Sequence, residues 1–136
     1  MAQNYGSRVI DRQHTTVTGK QYRRVLSAST LTGDNVVNSA GDDLGKIDEI
    51  MIDTTTGRVA YAVLSFGGFL GMGDKLFAIP WDQLSLDEDN KRFLLNIDRA
   101  KLEEAPGFDK DNWPDMADPS WSTQIYKYYG SEPYWE

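Results

Sequence analysis

The sequence predicts an all-β fold: a small antiparallel β-barrel, then a short helix, then a C-terminal aromatic amphipathic helix. Three observations carry that prediction. Gly45–Asp53, Arg58–Phe66 and Lys75–Trp81 are apolar runs rich in β-branched residues. They are divided by Thr54–Thr55–Thr56–Gly57 and by the glycine-rich stretch Gly67–Asp74, and short strands separated by such turns read as an antiparallel meander. After Asp98 the apolar spacing changes to that of a helix, with Trp121, Ile125, Tyr128 and Tyr129 at i, i+4, i+7 and i+8.

Taken in order, Met1–Gly6 is small and polar, and Ser7–Gln21 is Thr-rich with few apolar anchors. Arg23–Leu31 approaches the barrel with Val25, Leu26 and Leu31 as expected anchors, and Thr32–Gly33–Asp34 turns into a short strand on Val36 and Val37. In the next strand Ile47 is odd whereas Ile50 and Ile52 are even, so alternation breaks at Asp48–Glu49. One extra residue there, a β-bulge, would restore the inward face and help the sheet curl. Val59–Phe66 is apolar on both parities except at Ser65, which requires cover on both faces. Pro80 ends the third run or marks an edge, because proline cannot donate to a ladder. Leu84 and Leu86 lead through Asp87–Asn90 to Phe93, Leu95 and Ile97, a hairpin with one wet face. Asp98 can cap a helix over Arg99–Glu104 that Pro106 and Gly107 close. Asp118–Pro119 opens the last helix, Pro119–Tyr129, and Gly130 stands at its C-terminal cap.

Length and composition bound the function. The 136 residues hold one modest core, with no cysteine and a single histidine, His14. Disulfides, thiolate metal sites and thiol nucleophiles are therefore excluded. No run approaches the ~18 apolar residues of a membrane span, and the N-terminus lacks an apolar signal core, so a cytoplasmic protein is expected. The net charge of −7 is uneven: residues 1–30 carry +4 and the remainder −11. An acidic body repels phosphate at close range, which speaks against strong nucleic-acid binding. A basic arm (1–29), a barrel (30–107) and an aromatic tail (108–136) are the expected divisions.

Several constellations invite chemistry and fall to simpler readings. The loop Gly68–Lys75 has the glycine spacing of a phosphate-binding loop. However, Asp74 stands where lysine belongs, Leu76 replaces the hydroxyl residue, and the loop joins strand to strand. Asp87–Glu88–Asp89 and Asp109-x-Asp111 lack the ligand spacing of a calcium loop. Asp48 and Glu49 point to opposite faces of a strand, unlike a glycosidase pair. No catalytic residue, metal or cofactor is therefore expected, and no small-molecule substrate. Trp113, Trp121, Tyr126, Tyr128, Tyr129, Tyr134 and Trp135 crowd the tail. Without a positive groove, packing is the better reading than base stacking. Phe69, Leu70 and Met72 stand among glycines that offer them little cover, so they are candidates for self-association. With Trp113, Trp121, Ile125, Tyr128 and Tyr129 they form the expected interaction set.

Leu31-x-Gly33-x-x-Val36, Gly41-x-x-Leu44-Gly45-Lys46-Ile47, Ile52-Asp53 before Thr56-Gly57-Arg58, Gly67-Gly68-Phe69-Leu70-Gly71 and Pro80-Trp81 together resemble the PRC-barrel domain over residues 30–107. That domain occurs in the photosynthetic reaction-centre H subunit and in a ribosome-maturation factor. The tail from Phe108-Asp109 through Trp113-Pro114 to Tyr128-Tyr129-Gly130 is similar to that of stand-alone bacterial members. The H subunit has an N-terminal membrane helix, and the maturation factor a second barrel, that this sequence does not match. The resemblance implies a non-enzymatic scaffold or adaptor in protein assembly, self-associating as a homodimer and engaging another protein. The alternatives it implies are an RNA- or ribosome-associated assembly factor and a peripheral reaction-centre H-subunit-like component.

Overall fold

A computed structural model describes residues 24–67 and 75–135, together with the antiparallel pair β1 (Thr16–Val17) and β2 (Lys20–Gln21). One helical turn, α1 (Ala28–Leu31), precedes β3 (Asn35–Val37), β4 (Asp43–Asp53), β5 (Arg58–Phe66) and β6 (Lys75–Pro80). A 3-10 turn at Trp81–Gln83 leads to the hairpin of β7 (Leu84–Asp87) and β8 (Arg92–Leu95). Helices α2 (Arg99–Glu103) and α3 (Pro119–Tyr129) complete the chain. β5 and α3 have the bounds expected from the sequence. Lys75–Trp81 ends as a strand at Pro80, and the Asp98 side chain makes no capping hydrogen bond to α2.

The strand order β6-β5-β4-β3-β8-β7 forces the sheet to roll. Its two outermost strands, β6 and β7, are joined by only the three residues of the 3-10 turn. Laid flat, six strands would separate those edges by about 24 Å at ~4.8 Å per strand. Four extended peptide steps reach at most ~14 Å, so the ends must curl toward each other. Four of the ladders are antiparallel; β3 and β8 pair in parallel, Val36 opposite Phe93, which the meander expectation did not include. Curvature is placed where the sequence broke its alternation: the β4–β5 register shifts between Ile47 and Glu49, leaving Asp48 as the extra residue. A second shift follows between Met51 and Ile52.

Cross-strand partners share a face, so the register sorts the core into two layers. Ile47, Leu64 and Phe77 are neighbours on the inner face, as are Ala62 with Ile79, and Val36 with Phe93 and Leu86; all are buried. On the other face Tyr61, Val63 and Ala78 are buried too. Tyr61 meets α3, which supplies the second cover that the doubly apolar β5 demanded. Its ring stands edge-on to Trp121 at 5.3 Å and to Tyr126 at 5.6 Å, and the Tyr126 hydroxyl donates to Ala60 O at 2.9 Å. Val25, expected as an anchor, is 91% exposed: with one turn of helix following it, only Leu26 and Leu31 reach the core cluster.

The β7–β8 hairpin carries a buried charge. Asp87 is 3% exposed, and its Oδ2 accepts from Asn90 Nδ2 at 2.7 Å and Arg92 Nε at 3.0 Å. Burial opposes its ionisation, yet the Asn90 and Arg92 donors together win and hold its pKa below the usual carboxylate value. A depressed folded pKa gives stability that is present above the unfolded value, about 3.9, and lost as pH falls through the folded one. Asp87→Asn is therefore expected to cost roughly 1–3 kcal/mol at pH 7. Urea midpoints should show that gap narrowing as wild type is taken below pH 4, and a gap independent of pH would contradict this account of Asp87.

Candidate functional site

The tail is tied back onto the barrel. Asp118 caps α3, its side chain accepting from Ser120 N at 2.9 Å, and Gly130 at φ 75 closes the other end. Beyond it the Ser131 hydroxyl accepts from Gln83 Nε2 and donates to Asp82 Oδ1, both at 2.7 Å, which pins the chain to the 3-10 turn. Tyr134 then reaches the β4–β5 hairpin. Its hydroxyl donates to Asp53 Oδ2 at 2.6 Å, its carbonyl accepts from Arg58 Nη1 at 3.0 Å, and the Arg58 guanidinium lies 5.9 Å from its ring centre. Trp135 closes the group, edge-on to Tyr126 at 4.9 Å and to Tyr134 at 5.1 Å.

Between the hairpin and the tail lies a cleft of about 480 Å³. β4 and the turn contribute Met51, Ile52, Asp53, Thr54 and Thr55, and β5 contributes Ala60 and Tyr61. Met116, Ala117, Pro119 and Ser122 come from the start of α3 and the loop before it, and Tyr134 and Trp135 from the tail. Ile52 and Trp135 remain 50% and 40% exposed, two of the four large apolar side chains left open among the described residues. The Tyr134 hydroxyl and the Thr55 N–H hold the Asp53 carboxyl below its ordinary pKa. Tyr134 is pushed up in turn, chiefly by burial and then by the carboxylate it donates to. Deeper in, Ser122 Oγ donates to Met116 O at 3.0 Å. The Tyr61 hydroxyl beside it lacks a partner in hydrogen-bonding geometry, and burial raises its pKa against the opposing Ser122 hydroxyl.

The residues expected to form an interaction set are scattered by the fold. Phe69, Leu70 and Met72 lie outside the described residues. The strand ends that bracket them border two other features: a polar hollow of about 480 Å³ at Asp43, Lys46 and Arg99, and a smaller, more apolar one at Phe66 and Phe77. That end of β5 is about 17–20 Å from the cleft, five to six residues along the strand from Tyr61 and Ala60. Trp113 is 39% exposed and packs on Phe108 at 5.0 Å, itself paired through its backbone with Leu76. Trp121 rests on Tyr61, Ile125 is fully buried, and Tyr128 donates to Lys101 O at 2.6 Å, joining α3 to α2. Tyr129 is 9% exposed. Most of the aromatic stripe thus packs within the molecule, while the cleft draws on Ile52, Asp53, Met116, Tyr134 and Trp135. Of these, Tyr134 and Trp135 stood out in the sequence for their aromatic crowding, and Ile52–Asp53 only as part of the family motif.

Among the described residues no group of three or more His, Asp or Glu could hold a metal ion, and no helix is long and apolar enough to cross a membrane. The fold and its site define a small rolled β-barrel with a helix docked on its outer wall and a surface cleft beside that helix. A profile of the PRC-barrel domain matches residues 23–102, more than half of the chain, and the protein belongs to that family. A search of curated proteins finds no match. Among solved structures, one described as a 16S ribosomal RNA processing protein, RimM, from Pseudomonas aeruginosa is 20% identical, with a TM-score of 0.39. The similarity covers 55% of this chain and 45% of that one, so this chain spans less than half of RimM's length.

Proposed function

We propose that the protein is a non-enzymatic scaffold that assembles with other proteins, and that the cleft between the β4–β5 hairpin and the tail is where it holds them. The observation that carries this reading is the pair Ile52 and Trp135, left 50% and 40% exposed at a cleft whose other lining includes Met51, Met116, Pro119 and Tyr61 beside the polar Asp53, Thr54, Thr55 and Ser122. Large apolar and aromatic side chains around a concave surface are what protein interfaces use as anchors. In this reading residues 1–29 act as a basic arm, 30–107 as the barrel and 108–136 as the tail that completes the site. The compartment is the cytoplasm. Self-association through Phe69, Leu70 and Met72 uses the opposite end of β5, leaving the cleft free for a different partner. A ribosome- or RNA-associated role finds no support in charge, since the body carries −11 outside the first 30 residues.

Affinity capture from native lysate with nuclease, comparing wild type with an Ile52→Ser/Trp135→Ala pair and a Phe69→Ser/Leu70→Ser pair, tests the reading. Partner proteins are expected to be lost from the cleft pair and retained by the loop pair. Light scattering should show the wild-type molar mass falling only for the loop pair. Partners retained by the cleft pair would remove the cleft from the account, and an unchanged mass for the loop pair would remove the self-association surface.

A further inference from the structure

Resting on the reading of the cleft as a docking site, we infer that its occupant is an extended, basic peptide segment carrying aliphatic side chains next to arginine or lysine. Three features converge on that chemistry. At about 480 Å³ the cleft lies in the range of ligand-binding pockets, roughly 300–1,000 Å³, and it offers Met51, Ile52, Met116 and Trp135 to aliphatic groups. Its charged lining residue is Asp53, held ionised by Tyr134 and Thr55. Asp115 and Asp118 stand exposed on either side of Met116 and Ala117, which places further negative charge at the rim.

Among the described residues Arg58 stands beside Asp53, but it is engaged by the Tyr134 carbonyl and ring and only partly offsets these carboxylates. An acidic or phosphorylated segment is therefore disfavoured at the rim, and the acidic body steers cationic partners toward it. The cleft also joins the matched domain to a segment outside it. Met51–Tyr61 lie inside the family match at residues 23–102, whereas Met116–Trp135 lie beyond it. Specificity for a basic segment is thus assigned to the combination of barrel and tail.

The test is a fluorescence-anisotropy titration of the full chain against labelled peptides Gly-Arg-Val-Ile-Arg-Gly, the same peptide with glutamine for both arginines, and the same with glutamate. The basic peptide is expected to bind at 50 mM salt with a Kd on the order of 10–100 µM, typical of a small, transient contact. The glutamine peptide should bind several-fold more weakly and the glutamate peptide not measurably. Asp53→Asn keeps an oxygen for the Tyr134 hydroxyl while removing the charge. It should weaken the basic peptide about three- to tenfold, a difference that shrinks at 0.5 M salt. Ile52→Ser and Trp135→Ala should each weaken both the basic and the glutamine peptide about tenfold, with circular dichroism confirming the fold. Equal binding of the basic and glutamine peptides with no effect of Asp53→Asn would overturn the basic-segment inference and leave the cleft as an apolar docking site. Binding unchanged by Ile52→Ser and Trp135→Ala would remove the cleft itself. Failure of the basic peptide to bind at 1 mM, or a fall in wild-type molar mass on Ile52→Ser, would also overturn the inference, the latter making the occupant a second copy of the chain.

Discussion

Gly45→Ala is expected to destabilise the protein by roughly 3–6 kcal/mol, combining a disfavoured backbone conformation with overpacking. Gly45 lies in β4 at φ +124, where side chains are rarely accommodated. A methyl group there would overlap the Ser65 carbonyl oxygen, and would sit 3.0 Å from its carbon and 3.2 Å from Phe66 Cα. Every obstacle is backbone, so no change of rotamer relieves it. The position is where β4 comes to lie between two neighbours: Gly45 pairs with Val36 of β3, and Lys46 next to it pairs with both Asn35 of β3 and Ser65 of β5. Opening this crossing would separate the two halves of the rolled sheet. Urea unfolding at pH 7 measures the effect, and an alanine variant within 1 kcal/mol of wild type would show that the strands do not approach so closely.

Trp121→Ala carries the second large effect, roughly 2–4 kcal/mol. The indole is half-buried, so the loss falls below the ~3–5 kcal/mol of a fully buried aromatic. Its edge-on contact with Tyr61 at 5.3 Å belongs to an aromatic cluster that continues through Tyr126 to Tyr134 and Trp135. Loss of the indole uncovers Tyr61 and loosens one side of the cleft as well as the helix. A melting temperature unchanged by the substitution would mean that α3 does not contribute to the fold.

What the sequence made legible was local. The bounds of α3 followed from Asp118, Pro119 and Gly130, whose backbone preferences act within a few residues. The bulge at Asp48 followed from a break in a period of two, which is a property of one strand. The need for outer cover followed from the composition of β5 alone, and α3 meets it. The parallel pairing of β3 with β8 was not legible, because it joins residues more than fifty positions apart and follows from closing the roll. Val25 misled for the complementary reason: an apolar residue signals a core position only once the path of the chain past it is known, and here that path leaves it in solvent.

The cleft escaped the sequence for the same physical reason as the parallel pair. Its two sides come from residues 51–61 and 116–135, brought together by the Asp53–Tyr134 and Tyr126–Ala60 hydrogen bonds. Neither side carries a pattern that announces it. Ile52 reads as one more apolar residue of β4, and Asp53 as the start of a turn. The aromatic stripe, by contrast, announced itself plainly, yet Ile125, Tyr129 and the ring of Trp121 serve the interior of this molecule. Amphipathic periodicity identifies a face that must be covered, without saying whether the covering surface belongs to the same chain.

The central claim, that the barrel and the tail together make the docking surface, is tested most directly by two-dimensional NMR of the nitrogen-15-labelled full chain titrated with the basic peptide. The account predicts that the largest shifts fall on the amides of Ile52, Thr54, Thr55, Ala117 and Ser122 and on the indole N–H of Trp135, with residues near Phe66 and Lys75 unmoved. Shifts concentrated at Phe66–Lys75, or confined to the barrel side with Ala117, Ser122 and Trp135 silent, would contradict it.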